Sequence, residues 1–358
     1  MNAAETAVTV SAGPSRPSLV HHMLQDIWST TLKHEVGVDE NFFEAGGDSL
    51  SALVVVEQIN QRLGWRINMG DLLRFQTIAG LAAEKAQPQA ANSERALIRM
   101  SDGGGGTPLV FVHAGHGMVD GYGRLVRELG ADRPCYGLQS PLLTEGAEGV
   151  PDSIQGLAEY YADLLQDEFG DDEFHLLGSC AGGAICVELG RIAADRGLGV
   201  GRTVVVDGYL ELDSTAPMSE AELLVDFYDG LLRMSGTTGQ YPAMTPEDVD
   251  LERVLRYSAA AMFGTDLGYD ERAEAFCRRL YASFLTTAHA LTSYRPEPAD
   301  VDLLMLFAKD NDTLGQWRSV ITGELTAEVL RSDFYGQRLC IEEAAYVAAR
   351  TVDYLGEE

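Results

Sequence analysis

The 358-residue sequence predicts a small helical domain, then a larger and mainly parallel α/β domain with a block of helices inserted in it. Three observations carry this. In the first block, SLVHHMLQDIWSTTLK spaces its apolar residues three and four apart, and a second periodic run follows a polar loop. From about Ala96 the pattern becomes short apolar runs alternating with amphipathic segments, the runs being PLVFVHAG, CYGLQ, FHLLGSC, RTVVVDGYL and DLLMLFAKD. Between about Leu212 and Leu291 strand signals stop, and helix starts replace them: Ser219 with Glu222 reads as a capping box, and Thr245 before Pro246 as a helix entry.

The expected division is therefore a helical domain over 18–85, a linker over 86–95, and an α/β domain over 96–358 whose helical insertion, about 212–291, forms a lid. The stretch QPQAANSER, Gln87 to Arg95, is polar and holds a Pro, as a linker does. The run Gly103 to Gly106 reads as a plain turn. No Lys-Ser or Lys-Thr pair follows it, and a strand comes next where a phosphate loop needs a helix.

A net charge of −29 and a pI near 4.5 argue against nucleic acid or an anionic membrane as the main partner, since either would repel such a surface. Five cysteines, at 135, 180, 186, 277 and 340, are odd in number and lack metal-type spacing, which suits reduced thiols in a cytoplasmic protein and no metal. The first 17 residues have no basic start followed by an apolar core, and no apolar run reaches membrane-spanning length, so a soluble, intracellular chain is expected.

Two short stretches carry chemistry. GSCAGG, Gly178 to Gly183, fits G-x-S-x-G with Cys180 in the nucleophile's place, between an apolar strand and an amphipathic helix. The flanking glycines allow a sharp strand-to-helix turn, and the helix amides below it are expected to lower the thiol pKa and hold an oxyanion. Cys135, Cys186, Cys277 and Cys340 read as packing residues. In the first block, VDENFFEAGGDSL puts Ser49 at a helix start, where on its own it reads as an N-cap.

DENFFEAGGDSL closely resembles the DxFFxxGGDSL signature of carrier domains in nonribosomal peptide synthetases, and TIAGLAA, Thr77 to Ala83, resembles their last helix. That resemblance implies a four-helix carrier domain bearing 4'-phosphopantetheine on Ser49. Its phosphate would sit at a helix N-terminus, and its thiol would hold the substrate as a thioester. From Ala96 onward the chain resembles the thioesterase domains that end such assembly lines. The resemblance implies an α/β-hydrolase domain with a helical lid, Asp207 at the end of VVVDGYL as the acid of a triad, and an oxyanion hole from the amides of Ala181 and of Ala114 or Gly115. YRPEPADVDLLMLFAKD and Trp317 resemble the later part of that domain.

One part of the family pattern is missing. A histidine base is expected near the C-terminus in a G-D-H-F-like turn; the matching stretch is RSDFYGQRL, with Phe334 where His would fall, and no His follows His289. His21, His22 and His34 belong to the carrier, while His113, His175 and His289 read as structural. His116, in HAGHG of the oxyanion-hole loop, is the expected substitute base, oriented by Asp207. Sulfur suits such a site, because a thiol needs less help than a hydroxyl and a thioester stays activated toward amines. Thioesterase domains with Cys in the elbow resemble β-lactone- and β-lactam-forming release domains. Release by cyclisation to a small strained lactam or lactone is thus expected, with hydrolytic or editing release, an acyl shuttle between carriers, or a non-catalytic carrier-docking module as alternatives. The implied partners are upstream modules of the same synthetase, a phosphopantetheinyl transferase and the peptidyl thioester.

Overall fold

Apolar residues at helical spacing in the first block need a shared interior, and four helices supply it: α1 (Leu19–Leu32), α2 (Ser49–Leu63), α3 (Met69–Phe75) and α4 (Ile78–Lys85). In this computed structural model the described residues are 19–63, 67, 69–85, 96–101, 103–130, 133–144, 149–210, 217–235, 237–263, 271–309, 313–330, 332 and 334–356; the expected linker, 86–95, lies outside them. Leu24, Ile27, Trp28, Phe42, Ile59 and Leu81 form this first domain's own core, with Trp28 edge-on to Phe42 at 4.9 Å between centroids. Gly47 has no room for a side chain, because the Phe42 ring and carbonyl occupy the place of a Cβ.

The second domain holds β1 (Leu97–Ser101), β2 (Leu109–Val112), α5 (Gly123–Leu129), β3 (Cys135–Leu138), α6 (Ile154–Phe169), β4 (Phe174–Ser179), α7 (Gly182–Arg196) and β5 (Val200–Val206), in that order. Then come α8 (Glu220–Met234), α9 (Leu251–Phe263), α10 (Glu271–Ser293), β6 (Leu303–Ala308), α11 (Leu314–Val320), β7 (Leu325–Leu330), α12 (Gln337–Glu342) and α13 (Ala344–Leu355). The seven strands among the described residues make one sheet, ordered β1-β3-β2-β4-β5-β6-β7. Only β1 runs antiparallel, pairing Leu97 with Leu138. The others are parallel, as helical crossovers require.

Apolar cores cover both faces, so β2, β4 and β6 are fully buried along their length. One core joins Val110, Leu176, Tyr161 and Ile185; the other joins Phe111, Leu177, Val206 and Val347. The lid has its own interior of Phe227, Leu231, Val254, Leu255 and Cys277. Leu53, one turn after Ser49 in the carrier helix, joins that lid cluster, and Leu73 joins the sheet's second core. The first domain is therefore packed on the inserted helices through α2, the helix that starts at Ser49. Among the described residues no helix is long and apolar enough to cross a membrane.

Candidate active site

Strands β4 and β5 end side by side at the centre of the sheet, and each is followed by a non-glycine residue in the left-handed region: Cys180 at φ 53° and Asp207 at φ 48°. For an L-residue that conformation costs on the order of 1–2 kcal/mol, and the neighbours hold it in place. The Cys180 N–H donates to the Val206 carbonyl at 3.2 Å, Gly183 N–H donates to the Cys180 carbonyl at 3.1 Å, and Asp207 N–H donates to the Leu306 carbonyl at 2.6 Å. Tyr122 ties β2 to β4 from below: its hydroxyl donates to the Val112 carbonyl at 2.8 Å and accepts from Ser179 N–H at 2.9 Å. At Gly182 a Cβ would stand 2.7 Å from the His113 carbonyl and 2.8 Å from that of Val112. The start of α7 is thereby pressed against the loop that leaves β2.

Cys180 is the one partly exposed cysteine of the five; the other four are buried, as expected of packing residues. Its Sγ lies 3.0 Å from the Tyr209 hydroxyl. The helix-amide argument anticipates a lowered thiol pKa, and the structure reverses it. Burial pushes the Cys180 thiol up, and the Tyr209 hydroxyl and Ala181 N–H, which favour the thiolate, only partly offset that; the charges of Asp207 and Asp226 push it further up. The thiol is therefore less acidic than an ordinary cysteine.

The Ala181 N–H lies at the uncapped start of α7 and donates to no backbone carbonyl among the described residues. The same holds for the N–H groups of Ala114 and Gly115. The Ala114 carbonyl is tied back by Gly117 N–H at 2.9 Å and by His113 Nδ1 at 2.7 Å. In a trans peptide the Gly115 N–H then points the opposite way. His113 is buried and its pKa is lowered to about 4, so the ring is neutral and Nδ1–H is the donor to Ala114. His175 is likewise neutral, lowered to about 4 by burial, and its Nδ1 accepts from Arg202 N–H. His289 is exposed on α10.

Among the described residues no hydrogen bond joins His116 to Cys180. The loop reverses at Gly117, φ 87°, where a side chain would run into Ser140 and Ser283, and His116 is carried up into the lid. Its ring rests 5.6 Å from Phe227 of α8 and 5.3 Å from Phe284 of α10, and a Cβ on Gly230 would come 3.1 Å from it. Nε2 has no hydrogen-bond partner among the described residues, and burial lowers the pKa to about 4. So weak a base holds little attraction for a thiol proton.

Asp207 is engaged by backbone. One carboxylate oxygen accepts from Ala308 N–H at 3.0 Å, the other from Gly336 N–H at 2.6 Å. Gly336, φ 56°, also faces Cys180: a Cβ there would stand 3.8 Å from the Cys180 Cβ, with no other neighbour within 4 Å. The residue between Cys180 and Asp207 is thus Gly336, two positions beyond Phe334. Phe334 instead packs against the sheet's second core, with the Arg338 guanidinium 4.5 Å over its ring. Sequence reading missed both Gly336 and Tyr209; the one signal for Tyr209 is its place two residues after the Asp that closes β5.

Family comparison matches residues 107–337 to the model described as Thioesterase domain. The chain belongs to that family. Residues 23–84 match the phosphopantetheine attachment site. The chain thus joins a phosphopantetheine-bearing carrier domain to a thioesterase domain, an enzyme acting on acyl thioesters, and it is similar to nonribosomal peptide synthetases. The dimodular nonribosomal peptide synthase of Bacillus subtilis (strain 168) is 26% identical over 81% of this chain and 12% of its own length. A probable non-canonical nonribosomal peptide synthetase, CymA of Salinispora arenicola (strain CNS-205), is 27% identical over 90% of this chain and 4% of its own. The chain thus spans about an eighth or less of these relatives. Among solved structures, holo-AB3403, a four-domain synthetase bound to AMP and glycine, covers 99% of this chain with a TM-score of 0.66 and 25% identity, over 27% of its own length. The Vlm2 thioesterase domain shares the fold at TM-score 0.55 and 17% identity, over 73% of this chain and 98% of its own.

The carrier domain bears 4'-phosphopantetheine on a serine, and the residues around Ser49 fit it. Gly46 and Asp48 are exposed, Gly47 is confined by Phe42, and Ser49 is the first residue of α2. Asp48 caps α2: its Oδ1 accepts from Ser51 N–H at 2.8 Å, and Ser51 Oγ accepts in return from Asp48 N–H at 2.8 Å. The group supplies a thiol that holds the acyl chain as a thioester.

Proposed function

We propose that this thioesterase domain takes the peptidyl group from its carrier onto Cys180 as a thioester and releases it by attack of a nucleophile within the peptide, closing a strained β-lactam or β-lactone. The observation that carries this reading is the pairing of a reachable Cys180 with backbone, Gly336, in the place between nucleophile and acid. Ala181 with Ala114 or Gly115 would receive the oxyanion. Asp207 keeps the strand ends and the Gly336 turn in register. His116, the base expected from sequence, is instead held in the lid between Phe227 and Phe284.

Chemical balance supports lactam closure over hydrolysis, while a hydroxyl closing a lactone needs a proton acceptor as water does and gains over it by proximity alone. Water needs a general base to attack at a useful rate, and the side chain that reaches the Cys180 sulfur is a phenol, not an imidazole. An amine of the substrate is nucleophilic unaided, and a thioester is intrinsically reactive toward it. Proximity of the two ends of one bound chain supplies most of what remains. Upstream modules of a synthetase would deliver the peptide, and a phosphopantetheinyl transferase would prime Ser49.

The test is product analysis. The primed chain, loaded with a peptide ending in a β-amino-bearing residue, is expected to release mainly a product one water lighter than the acid, and none from Cys180→Ala. Free acid as the main Cys180-dependent product would overturn the cyclising reading.

A further inference from the structure

We propose that Tyr209 is a catalytic residue, the proton relay at the Cys180 sulfur; this rests on the acyl-Cys180 reading above. Its hydroxyl lies 3.0 Å from Sγ, within bonding reach of the atom that must lose and regain a proton. Its position is fixed by the short route from β5. Gly208 allows no side chain, since a Cβ would strike Val205 and would also lie 3.3 Å from both the Cys180 carbonyl and the Trp317 ring. The Gly208 carbonyl is held by the Thr313 hydroxyl at 3.2 Å. The backbone that aims Tyr209 is thereby packed and tethered on both sides.

The ionisable groups facing the sulfur are Tyr209, Asp207 and Asp226, and those facing the Tyr209 hydroxyl are Cys180, Asp226 and Asp207. None of them brings a positive charge. Burial and these neighbours hold the Tyr209 pKa well above its ordinary value, so the residue stays a neutral hydroxyl. A neutral hydroxyl both donates and accepts, which a relay needs and a charged base does not supply.

Both steps then balance without a net base. In the first, Cys180 Sγ bonds to the thioester carbon and the carbon–sulfur bond to the leaving thiol breaks; the Cys180 proton passes to the Tyr209 oxygen as the Tyr209 proton passes to the leaving sulfur. The second step forms the bond to the substrate nucleophile and breaks that to Cys180. The nucleophile's proton goes to the Tyr209 oxygen, and the Tyr209 proton returns to Sγ. Tyr209 ends each step unchanged.

The full chain and its Tyr209→Phe variant are compared in two measurements: acylation of Cys180 by an acyl N-acetylcysteamine thioester, read by intact mass, and alkylation of Cys180 by iodoacetamide across pH. General acid–base groups contribute on the order of 100-fold or more. Tyr209→Phe is expected to slow acylation by about that factor, and to raise the alkylation midpoint because the thiolate loses a donor. Acylation within about twofold of the native rate would overturn the relay. So would a large loss of acylation with an unmoved alkylation midpoint, which would mark Tyr209 as packing only. If the native chain itself is not acylated, the acyl-Cys180 reading fails first and the relay falls with it, a result told apart by its appearing without any substitution.

Discussion

Gly336→His is expected to turn the enzyme toward hydrolysis, raising the ratio of free acid to cyclised product on the order of 100-fold. The side chain introduced there would start 3.8 Å from the Cys180 Cβ, into space with no other neighbour within 4 Å. It would project from a turn whose N–H is already bound to Asp207. An imidazole in that place lies between thiol and carboxylate, the arrangement in which a base activates water. At φ 56° and ψ −137° the backbone lies in a region adopted almost only by glycine, so a side chain there costs roughly 1–3 kcal/mol, a stability loss that a denaturation curve of the variant would register. Product analysis of the loaded carrier checks the ratio. An unchanged ratio in a folded variant would show that the Gly336 backbone is not what suppresses hydrolysis.

Cys180→Ser is expected to abolish acyl transfer in practice, with a loss of about 1,000-fold or more. A serine hydroxyl holds its proton far more tightly than a thiol and needs a strong base. Here the nearest partner to the sulfur is a neutral phenol, and His116, lowered to about 4, is bound into the lid. The double variant Cys180→Ser with Gly336→His tests the same logic in reverse. The two changes should be coupled: Gly336→His recovers part of the serine variant's loss, where in the native background it speeds only hydrolysis. Rates of acylation from a short thioester surrogate measure both. A Cys180→Ser chain that acylates within about tenfold of native would mean that a competent base reaches residue 180.

Most of the fold was legible because its signals are local. Buried parallel strands such as LVFV, FHLLGS and LLMLFA are continuous apolar runs, and they reappear as β2, β4 and β6. The two strands that sequence reading omits, LIRMS and LTAEVL, are the edges of the sheet. β1 exposes Arg99, and β7 is buried only at Leu330, so neither carries the run of apolar residues that marks an inner strand. The capping box at Ser219 stands as read, with both reciprocal bonds formed.

At the site, the elbow was legible and its surroundings were not. GSCAGG dictates a strained turn through its glycines, and Cys180 takes the left-handed conformation. The pKa expectation failed because burial and two carboxylates, all tertiary effects, outweigh the helix amides. His116 lies in a loop whose place is easily read, yet its ring direction depends on Gly230, Phe227 and Phe284, far along the chain. Gly336 was overlooked because a search for a missing side chain passes over a residue that has none. How the carrier sits against the lid, through Leu53, likewise has no local signal.

The acyl-Cys180 intermediate is tested most simply by incubating the full chain with an acyl N-acetylcysteamine thioester, quenching in acid and mapping the adduct by peptide mass. The expected result is one acyl group, on the peptide containing Cys180, lost on treatment with neutral hydroxylamine as a thioester is, and absent from Cys180→Ala. An acyl group on any other residue, or turnover of the surrogate that survives in Cys180→Ala, would contradict it.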